Sequence, residues 1–413
     1  MNRCRLPYII RFVVAFLFFF SSCASGPPIR GSENAPPPEI KITPEIELTG
    51  ISVNNRFKAA IDYKGLAHVI VPASDTGELY HLLVDERGTL QKEVVKKSGS
   101  YDRIDMAFDQ KGDLYAIVDD DHLVLRDGKW QTFSKLPKDR CKWSALSGKN
   151  IVCADEVKGE EVGSSSRWDW YFGGFGGYGG AIVWILPWHT HAQRIIICIG
   201  NDAAWTNGVI LDPTEELDEY LSSVSTDDEG TIHIVYGSYD TDLPMSMKLI
   251  QRVAKGDTRY ARIDPSIMSE NKGNARDLLK VEGLRIAWEQ PLSFAIDPKS
   301  GIILIVTRDQ NSQFYKTQTI KYPSLDRSLQ TNFFSGRIFS SIHILPMGQG
   351  EFQALVDGHY FMYKDNVWSA PVKLTGITGK GKTEFVSDRS GRALAIWQGE
   401  NNKLVGQWIQ PTR

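Results

Sequence analysis

The chain repeats one hydrophobic pattern, in which an apolar strand, an acidic turn with a glycine and a second apolar strand follow one another. Clear copies are "DYKGLAHVIV" from Asp62, "DQKGDLYAIV" from Asp109 and "DRSGRALAIW" from Asp388. Short runs rich in β-branched and aromatic residues, bounded by turn residues, are typical of strands. Glycine tolerates the positive φ that such a turn needs, and aspartate can bond to the backbone beyond it. The copies lie at Gly65, Gly112, Gly148, Gly230, Gly301, Gly350 and Gly391.

The spacing of these glycines predicts the architecture. Consecutive copies are 47, 36, 82, 71, 49 and 41 residues apart, and the short spacings match a four-stranded unit of about 40 to 50 residues. The sheet of one such unit cannot bury both of its faces until neighbouring units stack on it. We therefore expect an all-β fold, a seven-bladed β-propeller. Six or eight blades are the alternatives, because the stretch from Gly148 to Gly230 has room for another.

The last copy of the pattern offers three strands, in "KTEFVS", "RALAIWQ" and "KLVGQWI". The fourth strand of that blade can come from "ITPEIELTG", Ile42 to Gly50, just before the first copy. An N-terminal strand in the final blade would close the ring and remove its open edges. We expect residues 43–413 to form the propeller.

The turn motif and strands such as "IHIVY" resemble those of the sialidase-like, bacterial-neuraminidase-repeat propellers, over roughly residues 45–410. That resemblance implies the propeller fold. The S-x-D-x-G-x-x-W boxes of the family are not matched, since "STDDEGTI" at Ser225 has its glycine one residue late. The catalytic arginines and the Tyr/Glu pair of the family have no counterparts that can be placed, so the resemblance assigns no catalytic residue.

The N-terminal residues have the layout of an export signal. Three arginines precede the apolar run "FVVAFLFFF", Phe12 to Phe20, which is too short to span a bilayer as a helix. "FSSCASG" follows and resembles the lipobox of bacterial lipoproteins, which implies removal of residues 1–22 and acylation of Cys23. Residues 23–42, rich in proline, would then be a tether to the outer membrane. An ordinary secreted protein is the alternative.

Charge and motifs narrow the chemistry. The net charge is −3 and lysine and arginine are scattered, which argues against a nucleic-acid partner. The motifs G-x-S-x-G, H-E-x-x-H and C-x-x-C do not occur, so we predict no cofactor, no metal and no catalytic residue. Cys141 and Cys153 flank a Ser-Gly turn almost symmetrically, which predicts either a disulfide between paired strands or two buried thiols.

One face of the propeller is the candidate binding face. In a four-stranded meander, the loops between strands two and three and the connections between blades emerge on the same face. Three long insertions fall there, and long loops in compact domains are usually functional or disordered. Aromatic side chains beside carboxylates suit sugar rings, although they could instead pack on the propeller itself or form a patch for a protein or lipid. The candidate residues are Asp119, Asp155, Trp168, Trp170, Tyr171, Tyr178, Asp240, Asp242, Arg308, Asp309, Asp357 and His359.

These features predict a lipid-anchored, non-catalytic propeller of the cell envelope that binds a glycan or a protein partner. A glycoside-processing enzyme is the first alternative, because many carboxylates gather on the same rim. An envelope assembly scaffold is the second. A deep central site with two inward carboxylates would favour the enzyme.

Overall fold

The structure is a computed structural model that describes residues 35–109, 111–136, 143–147, 150–171, 182–200, 209–210, 217–226, 231–240, 257–263, 279–286, 289–309, 314–321, 324, 326–327, 331–335, 342–377, 382–388 and 390–412. Within these ranges nearly all regular structure is strand, with one 3-10 helix at Glu400–Asn402. The predicted all-β class is confirmed. No helix in the described ranges is long and apolar enough to cross a membrane.

The strands fall into seven antiparallel sheets in the described part of the chain, and we number the sheets in chain order. The first two strands are β1 (Ile40–Ile42) and β2 (Ile46–Glu47). Sheet 1 contains β3 (Lys58–Ile61), β4 (Ala67–Pro72), β5 (Leu79–Asp85) and β6 (Gly88–Lys96). Sheet 2 contains β7 (Ile104–Phe108), β8 (Leu114–Val118), β9 (Asp121–Arg126) and β10 (Lys129–Lys135). Sheet 3 contains β11 (Trp143–Ser147), β12 (Asn150–Tyr171), β13 (Ile182–Gly200) and β14 (Val209–Ile210).

The remaining sheets follow the same plan. Sheet 4 contains β15 (Leu217–Thr226), β16 (Ile232–Asp240), β17 (Asp257–Ile263) and β18 (Leu279–Ile286). Sheet 5 contains β19 (Glu289–Asp297), β20 (Ile302–Asp309), β21 (Phe314–Lys321), β22 (Asp326–Arg327) and β23 (Thr331–Ser335). Sheet 6 contains β24 (Ile342–Gly348), β25 (Glu351–Val356), β26 (His359–Lys364), β27 (Val367–Trp368) and β28 (Val372–Lys373). Sheet 7 contains β29 (Thr383–Ser387), β30 (Ala393–Gln398) and β31 (Leu404–Pro411), together with β1 and β2.

The repeated turns join the first and second strands of the sheets, as the sequence pattern predicts. The Asp62 Oδ1 atom accepts hydrogen bonds from the backbone N–H groups of Lys64 at 2.9 Å and Leu66 at 2.8 Å. Gly65, in the same turn, has a φ of +80°, which a residue with a side chain adopts only with strain. The turns at Asp109 and Asp388 use the same carboxylate-to-backbone bonds.

The first strands of the sheets contact one another in order around the molecule. β3 contacts β7, β7 contacts β11, β11 contacts β15, β15 contacts β19, β19 contacts β24, β24 contacts β29, and β29 contacts β3. We call these seven the inner strands. The hydrophobic cores lie between neighbouring sheets: Ile70 of sheet 1 packs with Leu114 of sheet 2, and Ile396 of sheet 7 with Val69 of sheet 1.

The N-terminal strands complete sheet 7. Ile42 of β1 pairs with Ile409, and Ile46 of β2 pairs with Gly406, both on β31. This pairing starts at Ile40, three residues before the predicted propeller boundary at residue 43. Trp408, also on β31, donates its indole N–H to the Asp85 carbonyl of sheet 1 at 3.0 Å, so the seam between sheets 7 and 1 is hydrogen-bonded as well as packed.

Candidate functional site

Ionisable side chains occupy the same position on four inner strands. Each lies seven residues before the glycine of its repeat and pairs with the residue five positions after that glycine. Because the residues share one register position near the start of their strands, the ring of contacts brings them to one end of the inner strands. The four pairs are Lys58 with Ile70, Asp105 with Ile117, His343 with Leu355, and Glu384 with Ile396. Together with Lys382, just before β29, we call these residues the inner-strand cluster.

Glu384 is the centre of the inner-strand cluster. Its Oε2 atom lies 3.4 Å from Lys58 Nζ, and its Oε1 atom lies 3.2 Å from Lys382 Nζ. The Glu384 side chain is 6% exposed, whereas the two lysines are 33% and 35% exposed. Lys382 Nζ also donates to the Phe57 carbonyl at 2.6 Å. The carboxylate therefore holds one ammonium from sheet 1 and one from sheet 7.

The electrostatics of the cluster keep Lys58 charged. The Glu384 carboxylate raises the pKa of the Lys58 ammonium, burial opposes this shift, and the Asp105 carboxylate of sheet 2 adds to it. An opposite charge nearby favours the charged form of a titratable group. Lys58 thus remains a hydrogen-bond donor between two carboxylates that come from different sheets.

His343 is the neutral member of the inner-strand cluster. Burial lowers the pKa of its imidazole below the ordinary value of 6.5, and Glu384 opposes that shift while Lys58 and Lys382 reinforce it. The Nε2 atom is buried and has no hydrogen-bond partner among the described residues. A neutral imidazole with an uncommitted nitrogen can accept or relay a proton near pH 7.

The predicted binding face lies at the same end of the sheets, but two of its residues have local backbone roles. Asp119 follows β8 with a φ of +56°, and its Oδ1 accepts the backbone N–H of Asp102 at 2.7 Å on the connection into β7. Asp357 follows β25 with a φ of +47°, and its carbonyl lies 3.1 Å from His359 Nδ1. These residues shape tight turns near the start of the inner strands.

Other predicted residues are placed by backbone alone. Asp240 ends β16, and Arg308 and Asp309 end β20, so they stand where strand two runs into the loop toward strand three. Asp155 lies within β12, opposite Ile196 of β13. Cys23, Cys141, Tyr178 and Asp242 lie outside the described residues.

The segment that carries Trp168, Trp170 and Tyr171 forms part of two long paired strands, β12 and β13. β12 pairs with β11 from Asn150 to Ala154, and from Asp155 to Tyr171 it pairs with β13. At about 3.3 Å per residue this two-stranded extension is roughly 50 Å long. Trp168, Trp170 and Tyr171 lie at the end of the extension that is farthest from the inner strands.

The same two strands bear on the cysteine prediction. Cys153 pairs with Ser144 on one side and with Cys198 on the other. The predicted pairing of Cys153 with Cys141 stays a prediction, because Cys141 lies outside the described residues. The register adds Cys198 as a second residue opposite Cys153.

The inner-strand cluster was missed because its members share a position and not a residue type. Lys58, Asp105, His343 and Glu384 form no motif that can be read along the chain. The usable signal was the common offset of seven residues before each repeat glycine, combined with the fact that first strands line the centre of a propeller. In the described residues, no group of three or more His, Cys, Asp or Glu side chains is arranged to hold a metal ion.

Comparison with solved structures supports the fold. A fungal alcohol oxidase of the AA5 family, in complex with copper, matches with a TM-score of 0.51 and 11% identity, over 90% of this chain and 76% of that one. An oligogalacturonate lyase of Vibrio parahaemolyticus matches with a TM-score of 0.50 and 8% identity, over 91% and 98%. Both are β-propeller-like enzymes, and at these identities they inform the fold alone. No protein-family model matches the sequence, and the search of curated proteins finds no match. The resemblance to the sialidase-like family therefore has support at the level of a propeller-like fold, without sequence-family support.

Proposed function

We propose that the chain is a closed, seven-bladed β-propeller whose inner-strand cluster is a site for a saccharide-type ligand. Seven sheets in the described residues, inner strands that contact in a complete cycle, and the pairing of β1 and β2 with β31 support the closed ring. Within that ring the cluster stands at the end where the blade connections emerge, so a ligand would reach it from the predicted binding face.

The convergence of Lys58, Asp105, His343 and Glu384 carries the functional proposal. Carboxylates accept hydrogen bonds from sugar hydroxyls, ammonium groups donate to them, and a neutral imidazole can take a proton from one. Glu384 and Asp105 contribute two carboxylates to one cluster, and paired carboxylates are typical of glycoside-processing enzymes. We therefore favour glycoside processing over passive binding, with His343 as the proton acceptor and the carboxylates as groups that bind and orient the sugar.

An activity screen tests this proposal. Purified protein lacking residues 1–22 is incubated with a panel of glycans and chromogenic glycosides, and product release is followed. We expect turnover of at least one saccharide, and a loss of about 10²-fold or more for His343→Gln, Asp105→Asn or Glu384→Gln. Glu351→Gln, a carboxylate-to-amide change directly after the Gly350 turn at the opposite end of the sheets, is the matched control and should retain activity.

A second function is favoured by the extension of β12 and β13. Its length and its terminal aromatic residues suit non-catalytic binding of a glycan or an envelope protein, since aromatic residues often serve as anchors at interfaces. Glycan binding without turnover, lost when Trp168 and Trp170 are changed to alanine and retained in His343→Gln, would support this function and contradict the first.

We also propose that Cys23 is acylated and anchors the protein to the outer membrane through residues 24–39. The basic, apolar and lipobox-like segments of the N-terminus support the anchor. Cys23→Ser should shift the protein from the membrane fraction to the soluble fraction of the producing cell. An unchanged membrane fraction would contradict acylation at this cysteine.

A further inference from the structure

A hydrogen-bonded row of ionisable side chains crosses sheet 1 on the side that packs against sheet 2. His68 Nδ1 lies 2.9 Å from His81 Nε2, and His81 Nδ1 lies 2.7 Å from Glu93 Oε1. At the other end, His68 Nε2 lies 3.7 Å from Asp62 Oδ2. The row thus runs from the repeat turn through β4 and β5 to β6.

Sheet 2 encloses this row with aromatic rings. The Phe108 ring meets His68 edge-on at 5.2 Å, and the Trp130 ring meets His81 edge-on at 5.3 Å. The Trp130 indole N–H donates to Glu93 Oε1 at 3.2 Å. In the described residues, Asp62 and Glu93 are therefore the charged groups that face the two histidines. Sheet 2 contributes aromatic rings, which carry no charge.

Counting protons fixes the tautomers of the two histidines. Each neutral imidazole carries one N–H. Since Glu93 accepts, His81 must donate from Nδ1, and its Nε2 must then accept the Nδ1–H of His68. The lone pair of His68 Nε2 is left facing the Asp62 carboxylate, and the 3.7 Å separation is longer than a hydrogen bond, as expected for two acceptors.

The surroundings keep the pair in this two-proton state at neutral pH. Burial is the largest influence on His68 and lowers its pKa to about 4, with a further decrease from His81 and an opposing effect of Asp62. Burial also lowers the pKa of His81, against the hydrogen bond and charge of Glu93. Neutral imidazoles therefore occupy the interface between sheets 1 and 2.

We propose that Asp62, His68, His81 and Glu93 form a one-proton switch at the interface of sheets 1 and 2. A proton taken from solvent binds His68 Nε2, and the new N–H donates to Asp62 in a charge-assisted hydrogen bond. The row then holds three protons for its three contacts, with a single positive charge shared by the pair. A fourth proton is opposed by repulsion, because the two rings are stacked with centroids 5.0 Å apart.

The switch makes this interface sensitive to acid. The pKa of His68 is lower in the fold than in the unfolded chain, where it is about 6.5. The unfolded chain therefore binds more protons between these values, and the stability that the neutral pair contributes is present above pH 6.5 and is lost as the pH falls toward about 4. Acidification places an imidazolium against Phe108 and weakens the contact between the two sheets.

Selective labelling of histidine with ¹⁵N tests the switch in the folded protein. At pH 7.5 we expect both His68 and His81 to be neutral Nδ1–H tautomers, assigned with His68→Gln and His81→Gln. Asp62→Asn should lower the pKa of His68 by about one further unit, because the amide can donate to Nε2 of the neutral ring. Its oxygen can still cap the turn. His122 is the internal control: burial alone lowers its pKa to about 4, and its titration should not change in Asp62→Asn.

An Nε2–H tautomer or an imidazolium at His68 near pH 7.5 would overturn the switch. An unchanged or higher pKa of His68 in Asp62→Asn would do the same, and so would the uptake of two protons by the pair in one step. If Asp62→Asn fails to fold, the tautomers of the unmodified protein decide the question alone.

Discussion

At the scale of single residues, Glu384 joins two sheets through its charge. One of its oxygens faces Lys58 of sheet 1 and the other faces Lys382 at the start of sheet 7. The carboxylate is almost fully buried and the lysines are only partly buried. The burial of these ion pairs is therefore intermediate between that of surface pairs and that of interior pairs. Removing the negative charge would leave two ammonium groups facing each other across the seam.

We expect Glu384→Gln to lower the free energy of unfolding by about 1–3 kcal/mol, because charge-assisted hydrogen bonds are lost while the lysines stay in place. Urea unfolding monitored by tryptophan fluorescence measures the change. Glu351→Gln is the matched control. Glu351 pairs at 2.7 Å with Lys364, whose side chain is 63% exposed, and we expect a loss of about 0–1 kcal/mol there. Equal losses in both variants would contradict the role given to Glu384.

At the scale of elements, two Asp-Gly turns share a backbone conformation and differ in their surroundings. Asp127 and Gly128 connect β9 to β10, and Asp357 and Gly358 connect β25 to β26, with positive φ at all four residues. A Cβ atom on Gly128 would meet nothing within 4 Å. A Cβ atom on Gly358 would lie 2.9 Å from Ile377 Cβ and 3.0 Å from the Ile377 carbonyl oxygen.

This pair of turns separates backbone strain from crowding. We expect Gly128→Ala to cost about 1–2 kcal/mol, the penalty for a side chain in the left-handed region. Gly358→Ala should cost about 1–3 kcal/mol more, because backbone atoms near Ile377 must shift. Thermal and urea unfolding measure the loss of unfolding free energy in each variant. Equal losses would show that the segment around Ile377 moves aside without a free-energy cost.

Among these elements, the repeat turns could be predicted from the sequence, whereas the β12 extension and the inner-strand cluster could not. The turns at Asp62, Asp109 and Asp388 were predictable because glycine and aspartate each have a specific backbone use there. The extension of β12 was not, because "EVKGEEVGSSS" is rich in charged, serine and glycine residues of low strand preference. Among the described residues this extension pairs with β13, so pairing between these two strands decides its structure. The inner-strand cluster depends on contacts between blades, which no single segment contains.

At the scale of the whole molecule, the N-terminal segment helps to hold sheets 7 and 1 together. Leu48, which follows β2, is buried in one cluster with Leu82 of sheet 1 and Leu394 of sheet 7. Its backbone N–H donates to the Leu404 carbonyl at 2.8 Å. The side chain therefore packs against both sides of the seam at once.

We expect Leu48→Ala to destabilise the whole protein by about 2–5 kcal/mol, as for other fully buried leucines. Unfolding should remain a single transition at a lower temperature if the blades form one cooperative ring, and calorimetry reports both quantities. Leu90→Ala, at a leucine that is 55% exposed, should change stability by less than about 0.5 kcal/mol. Loss of sheet 7 in a separate early transition would argue against one cooperative ring.

The direction of β1 also sets where the proposed tether enters. β1 begins opposite Pro411, at the end of the sheets where the repeat turns lie, because Ile409 of β31 pairs with Ala393 directly after the Gly391 turn. The inner-strand cluster lies toward the opposite end. A protein held through residues 23–39 would therefore present the cluster on the side away from its point of attachment.

The pairing of β1 with β31 joins two strands that are made at different times during synthesis of the chain. Ile42 is synthesised long before its partner Ile409, so β1 stays without its partner while the residues between them are made. During that interval the sheets at the two ends of the incomplete structure have unpaired edges. Unpaired edges can form hydrogen bonds with strands of other chains. Nascent chains should therefore be most prone to aggregate just before β31 is complete.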